Sequence, residues 1–412
     1  MRILVVCEDI PRPHLGGLGK HALALASELH RKGHQVDVLG NAHYAMSAHP
    51  EQAGPGRFIG DISGHQRGWG QRHVGMFHPL ANALNARALA RAVVRHAPGY
   101  DVVHYHGHLP WVAQLLPRHI PFTQTRHDQG GDCMLQTRFR PEGVRCERRQ
   151  PESCAGCATA NPNKAQTAVS TWSVRRMRRA TSAGYSSRPV IFVSGFLQQA
   201  FGLVSKAGVQ GEVIHNATEL EALQLAGHEP QHERAPAAGV QAFAAGAFTN
   251  YKGFSQLLCE LKAQGAPQGW RLTIAGDGPD LERLREQHAR DSVRFLGWCD
   301  HATVLRHTVS ADVIVVPSVS EEPCATTVIE ALALGCTVFA LRLGGTPELA
   351  IYAGPAGERL RLFESMPELV RELRAFRGVK QDPADSLAQF TGTVSAMTDA
   401  VLAHYARHFG VR

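Results

Sequence analysis

The chain has 412 residues, 44% of them hydrophobic and 7% aromatic, a balance suited to a globular protein of two domains. No apolar run approaches the ~18 residues needed to cross a bilayer, and the stretch Ile3 to Cys7 is too short for a secretory leader. A cytoplasmic protein is expected, its nine cysteines being thiols or metal ligands rather than disulfides. The net charge of +7 is unevenly spread. Residues 1–190 carry 24 Lys+Arg against 12 Asp+Glu, a net of +12, and the remainder 19 against 24, a net of −5. Arg175, Arg176, Arg178 and Arg179 in "RRMRR" concentrate the excess, with Arg138, Arg140, Arg145, Arg148 and Arg149. Such a face suits nucleic acid, an anionic membrane or a phosphorylated substrate, or is simply solvated.

Along the chain the rhythm is strand, helix, strand. Ile3 to Cys7 reads as a buried strand, and "GGLGKHALALASELHRKGH" as an amphipathic helix closed by Gly33. Val36 to Leu39, "DVVHYH", "PFTQTRH" and "VIFVS" continue the strand series. Residues 217–239, "ATELEALQLAGHEPQHERAPAAG", lack a sustained apolar period and read as a linker. A second series then runs through "QAFAAG", "RLTIAG", "VRFLG", "ADVIVVPS" and "TVFAL", and "SLAQFTGTVSAMTDAVLAHYARHF" has helical spacing to the end. Short apolar strands alternating with helices predict two α/β domains with parallel sheets, their ligands at the carboxyl ends of the strands.

Two segments carry candidate chemistry. In "CMLQTRFRPEGVRCERRQPESCAGC" the cysteines Cys133, Cys146, Cys154 and Cys157 are spaced C-x12-C-x7-C-x2-C in a polar, irregular stretch. Four soft ligands ending in CxxC suit a structural zinc; an iron–sulfur cluster, redox thiols or four unrelated thiols would use the same residues. The alternating His104, His106 and His108 share a strand face, more in keeping with strand-end histidines than with a metal site, and His106 is a weaker catalytic candidate.

The second segment is "SEEPCATTVIEALALGC", residues 320–336. A strand ends at Pro317, and Pro323 suits the first turn of the next helix. The amides of Cys324, Ala325, Thr326 and Thr327 then face an anion, phosphate above all. Glu322 and Glu330 lie on either side of that anion, as acceptors for vicinal hydroxyls. A sugar on each side of a pyrophosphate satisfies both, which describes a nucleotide-sugar.

With "GGTPEL" following, this segment resembles the E-x7-E region of family 4 glycosyltransferases (GT4), retaining enzymes of the GT-B fold. "PHLGGLGKHALALASELHRKGHQVDVL", "DVVHYHGH", "FVSGF", "VIHNA", "GAFTNYKGF", "IAGDGPD" and "VRFLGWCD" match the family in order, so the likeness covers roughly residues 1–350. It implies two Rossmann-like domains facing an interdomain cleft. Residues 1–220 would form the acceptor-binding domain, with a Cys-rich insertion at about 128–165. Residues 236–385 would form the nucleotide-sugar domain, and residues 386–412 a helix packing back on the first.

The resemblance implies roles as well. Glu330 would hold the ribose, Glu322 the transferred sugar, and Lys252 the diphosphate, whose developing charge it would stabilise. Gly16 and Gly17 would admit the diphosphate to the backbone, with Ala325, Thr326 and Thr327 also on the donor. Gly297, Trp298 and Cys299 would meet the base, and His127 the reacting carbon. The expected donor is a UDP- or GDP-linked sugar, with no catalytic metal and no nucleic-acid partner. The expected acceptor is a lipid-linked or surface glycan, as in lipopolysaccharide or exopolysaccharide synthesis, with peripheral contact at the inner face of the plasma membrane. A small-molecule natural product is the alternative acceptor. Two residues depart from the family: Ala247 stands where an arginine is usual, and Ala325 where a glycine is. A non-catalytic GT-B subunit binding a nucleotide or a partner is therefore a second reading, and a nucleotide-sugar epimerase shares the fold.

Overall fold

The computed structural model describes residues 1–13, 15–63, 78–147, 150–158, 161–202, 211–228, 239–265, 269–354, 357–377 and 381–411. Arg148 and Arg149 lie outside them. The chain divides into two compact units, residues 1–216 with 394–412, and residues 217–393.

The first unit is built on a seven-stranded parallel sheet. Its strands are β1 (Arg2–Cys7), β2 (Gln35–Asn41), β3 (Phe58–Ile62), β4 (Val102–His106), β5 (Phe122–Arg126), β6 (Val190–Phe192) and β7 (Glu212–Val213), in the order 3-2-1-4-5-6-7. Helices α1 (Gly17–Arg31), α2 (His78–His96), α3 (Ala155–Ala158), α4 (Lys164–Ser187) and α5 (Gly195–Gly202) connect them. Ile3 to Cys7 are fully buried, as a strand covered on both faces requires. Strand order reverses between β1 and β4, so their carboxyl ends open a crevice where this class of sheet binds ligands.

The second unit repeats the plan with six parallel strands. They are β8 (Gln241–Ala245), β9 (Arg271–Ala275), β10 (Val293–Gly297), β11 (Val313–Val316), β12 (Thr337–Leu341) and β13 (Leu360–Phe363), ordered 10-9-8-11-12-13. Its helices are α6 (Leu220–His228), α7 (Phe254–Gln264), α8 (Leu281–His288), α9 (His301–Ser310), α10 (Thr326–Ala333), α11 (Met366–Ala375) and α12 (Pro383–Gln389). The reversal here falls between β8 and β11.

Two expectations need correction. The supposed linker at 217–239 contains α6, whose Leu223 and Ala226 are buried; its apolar stripe is two turns long, too short to show a period. The second unit thus begins at residue 217 and ends at 393, not at 236 and 385. The C-terminal segment is two helices, broken at residues 390–393, where Thr393 bridges to Thr218. Only the last, α13 (Val394–Phe409), belongs to the first unit.

Helix α13 joins its unit through buried polar contacts. The Tyr405 hydroxyl bonds His104 Nδ1 on β4 at 2.6 Å, and His404 Nε2 bonds Thr123 Oγ1 on β5 at 2.9 Å. His404 Nδ1 meets Glu212 at 2.9 Å, a carboxylate that Arg407 (2.5 Å) and His408 (3.1 Å) also reach. Burial opposes ionisation of Glu212, but these bonds outweigh it and press the carboxyl down to about 2. The folded value lies below the unfolded one, so this stabilisation is complete above the usual glutamate pKa and drains away as pH falls towards 2. Glu212→Gln is expected to cost about 1–2 kcal/mol at pH 7 after solvent screening. It should also flatten the acid limb of stability measured by urea denaturation between about pH 5 and 3.

Candidate active site

In the second unit the candidate residues gather at the carboxyl ends of β8 and β11. The turn after β8 ends in a short 3-10 helix, Asn250–Lys252, followed by Gly253 at φ +77°. A Cβ on Gly253 would stand 1.9 Å from the Pro317 carbonyl oxygen, so only glycine lets this turn lie against the loop leaving β11. The Val319 and Ser320 amides donate to the Tyr251 carbonyl and tie the two loops together. From opposite sides, Lys252 Nζ and Glu322 Oε1 then meet at 2.8 Å. Ser318 donates a short hydrogen bond to the same Oε1, which leaves Oε2 for another partner. Burial disfavours charge on both partners, but their mutual attraction prevails, holding Lys252 above and Glu322 below its ordinary range.

The loop is braced behind as well. Gly345 donates to the Glu322 carbonyl, and Gly344, at φ +60°, packs where a Cβ would come 2.3 Å from that oxygen. Helix α10 starts at Thr326, three residues beyond Pro323, so the proline bends the entry loop instead of opening the helix. Ala325 is the N-cap and offers no side-chain acceptor, while the Val328 and Ile329 amides return to its carbonyl. Thr326 and Thr327 therefore head a helix without a side-chain cap, with the positive end of its dipole uncompensated. Glu330 lies just over one turn inside, bonded through Oε1 to His301 Nε2 at 2.9 Å.

β10 closes at Gly297 (φ +80°), whose carbonyl accepts from Gly276; Trp298 follows, 65% exposed, and the Cys299 thiol bonds back to Gly297. Ala247 is exposed in the turn after β8. Ser318 and His301 escaped the sequence reading, since neither lies in a recognisable motif; their signal was position, at a strand exit and at the start of a helix.

In the first unit, His127 follows β5 directly. Its Nε2 bonds His106 Nδ1 at 3.1 Å, and its ring meets that of His21 edge-on at 4.5 Å between centroids. The ligand atoms of these three histidines lie within 4.8 Å of one another, and the buried Nε2 atoms of His21 and His106 have no hydrogen-bond partner. Burial holds all three imidazoles neutral, His21 at about 4. His21 also escaped notice, although it follows Gly17 by one helical turn. His108, near His127, is the opposite case: burial would neutralise it, but Asp128 and Asp9 hold it charged. The buried Arg126 fixes the segment after His127, donating to Gly107 O (2.7 Å), Asp128 Oδ1 (3.0 Å) and Gly130 O (3.0 Å).

Gly16 caps α1 and Gly17 opens it, both with ordinary backbone geometry, and a Cβ at either would meet no atom within 4 Å. The basic run on α4 is partly turned inward. Arg178 binds Asp132, Arg175 pairs with Glu152 and Arg176 covers the Trp172 ring. No helix among the described residues is long and apolar enough to cross a membrane. The thiols of Cys133, Cys146, Cys154 and Cys157 line one cavity of about 30 Å³, and burial pushes Cys154 up to about 12 and Cys157 to about 11.

The glycines give a direct test. Gly253→Ala is expected to destabilise the second unit by about 2 kcal/mol or more, read from the denaturation midpoint, since neither its φ nor its neighbour tolerates a Cβ. Gly17→Ala should leave the midpoint unchanged within about 0.5 kcal/mol.

Comparison with known proteins bears on the family and the fold. Residues 15–222 match the family described as Glycosyltransferase Family 4, and residues 240–375 the one described as Glycosyl transferases group 1. Glycogen synthase of Mycobacterium tuberculosis is 24% identical over 401 residues, covering 93% of this chain and 87% of its own. Among solved structures, sucrose-phosphate synthase from Thermosynechococcus elongatus superposes with a TM-score of 0.65 at 19% identity, covering 99% of each chain. An Anabaena protein in complex with UDP superposes at 0.58 and 17% identity, covering 99% of this chain and 96% of its own. These neighbours share the GT-B fold. With one family pattern spanning half of its length and the second covering the other sheet, the chain belongs to glycosyltransferase family 4.

Proposed function

We propose that the protein is a retaining glycosyltransferase that moves a sugar from a nucleoside-diphosphate sugar to an acceptor hydroxyl without a catalytic metal. The observation that carries this reading is the Lys252–Glu322 pair at the head of an uncapped helix that holds Glu330 about one turn in. Lys252 spends one of its three N–H donors on Glu322, which leaves the others for phosphate. The Thr326 and Thr327 amides add two uncharged donors beside it. Glu322 Oε2 accepts from a hydroxyl of the transferred sugar, and Glu330 from the ribose. Trp298 and the Gly297 and Cys299 backbone flank the base.

Transfer then needs little covalent work from the chain. The acceptor oxygen bonds the anomeric carbon on the face that the diphosphate leaves, and the hydroxyl proton passes to the departing phosphate oxygen. Lys252 stabilises the charge left on that diphosphate. In the first unit, neutral His127 hydrogen-bonds a sugar hydroxyl without adding charge at the reacting carbon. The open space at Gly16 and Gly17 supports a ligand there, because nothing in the fold itself requires glycine. The bound UDP of the Anabaena neighbour makes uridine the first base to test. The basic balance of residues 1–190 favours an anionic acceptor, a lipid-linked or surface glycan at the inner membrane face, over a neutral small molecule.

Ala247 supports a second reading, a non-catalytic subunit that binds nucleotide, because one cation is missing from the leaving-group side. The two part company in one experiment. Thermal-shift measurements with UDP, GDP, ADP and their sugars should show a rise of several degrees for one base, lost in Glu330→Ala. Lys252→Ala should lower donor hydrolysis about 100-fold or more. Stabilisation by a nucleotide with no donor hydrolysis would select the subunit, and stabilisation by none would remove both.

A further inference from the structure

The stretch from residue 128 to 163 is long, and its buried apolar residues among those described are Met134, Phe139 and Ala155. So small an apolar core contributes little to ordering that length of chain, which leans also on the buried Asp132 with Arg138 and Arg178. Its regular structure is equally sparse: one antiparallel bridge between Phe139 and Arg145, a 3-10 turn at Pro151–Cys154, and α3.

The cysteines sit where each of these pieces turns back. Cys133 opens a tight turn, its carbonyl accepting from Gln136, a residue at φ +65°. Cys146 ends the hairpin whose tip is closed by Gly143 donating to Arg140, and its own amide donates to Arg138. Cys154 and Cys157, three apart across the junction of the 3-10 turn and α3, fall on one side of it. All four line the same cavity, and no disulfide joins them. Sequence separations of 13, 8 and 3 residues thus converge on one point.

The charge around that point is complementary to a thiolate centre. Arg138, Arg140 and Arg178 line the cavity together with one carboxylate, Asp132, and Glu142 pairs with Arg140 at 3.2 Å, a net of +1 from these side chains. A zinc ion bound by four thiolates carries a net of −2.

We propose that Cys133, Cys146, Cys154 and Cys157 bind one structural zinc ion that fastens this segment to the first unit. A tetrahedral zinc with bonds of about 2.3 Å brings its sulfurs within about 4 Å of each other. Here no three of them come within 4.8 Å of one another, since the groups gathered so closely among the described residues are His21, His106 and His127, and Glu212, His404 and His408. Binding therefore draws the four sulfurs inward and closes the cavity between them. Arg178 on α4, bound to Asp132 Oδ1 at 3.0 Å, carries that constraint to the body of the unit.

The full chain, purified without chelator or metal-affinity resin, should contain about one zinc per chain by elemental analysis and lack visible absorption. Zinc-edge X-ray absorption should show a shell of four sulfurs at about 2.3 Å. Cys154→Ser with Cys157→Ser should lose the metal, and Cys259→Ser, an exposed cysteine outside the segment, should keep it. If the double variant does not fold, the absorption spectrum of the unaltered chain decides alone. An absence of metal, an iron–sulfur chromophore, or a nitrogen-rich shell pointing to His21, His106 and His127 would each overturn the proposal. Because none of these readouts uses donor or acceptor, the outcome is independent of the transferase reading.

Discussion

Much of the second unit's polar geometry depends on one partly buried ion pair. Lys252 and Glu322 come from loops leaving different strands, and each offsets the burial that disfavours the other's charge. That requirement explains the glycines around them. Gly253 brings the first loop within contact of Pro317, and Gly344 backs the second. The backbone is thus shaped to deliver two opposite charges to one place. What results is a preorganised cation beside an uncapped helix end, with carboxylate oxygens still available.

The first unit solves the opposite problem. Its crevice holds three imidazoles kept neutral by burial, next to a fourth kept charged by two carboxylates. A single step of two residues, from His106 to His108, separates these regimes, because β4 ends between them and His108 swings towards Asp9 and Asp128. Arg126, buried at the end of β5, sets the boundary by holding the chain after His127 through its carbonyls and Asp128. Neutral donors and acceptors for hydroxyls lie on one side of that boundary, and a fixed charge network on the other.

The sequence was most readable where burial is two-sided. Strands β1, β8, β11 and β12 are largely apolar runs and announce themselves, and β4, buried throughout, interrupts its run with His104 and His106. The edge strands β3 and β13 are half-exposed and mixed in composition, and both went unread. Helix α6 was mistaken for a linker because its apolar stripe is two turns long and lies among polar residues. At the site, residues in glycine-marked loops were legible, since a glycine at positive φ constrains its surroundings strongly. His301 and His21 were not, because an ordinary side chain on a helix acquires its role only from partners distant in sequence, and Ser318, though four residues from Glu322, lies in a loop that no glycine marks. The arginine run on α4 misled in the other direction: one of its guanidinium groups is spent on a buried carboxylate that no local pattern reveals.

The last helix has a consequence for how the protein is made. His104 and Thr123 in the middle of the first sheet take their partners from Tyr405 and His404, which emerge only after all of residues 217–393. At ribosomal speed that interval is roughly 10–35 s. During it the nascent first unit carries a polar seam beside β4 and β5 that no part of the chain yet covers. The second unit, contiguous in sequence, can finish while the first waits, so the order of completion is the reverse of the order of synthesis.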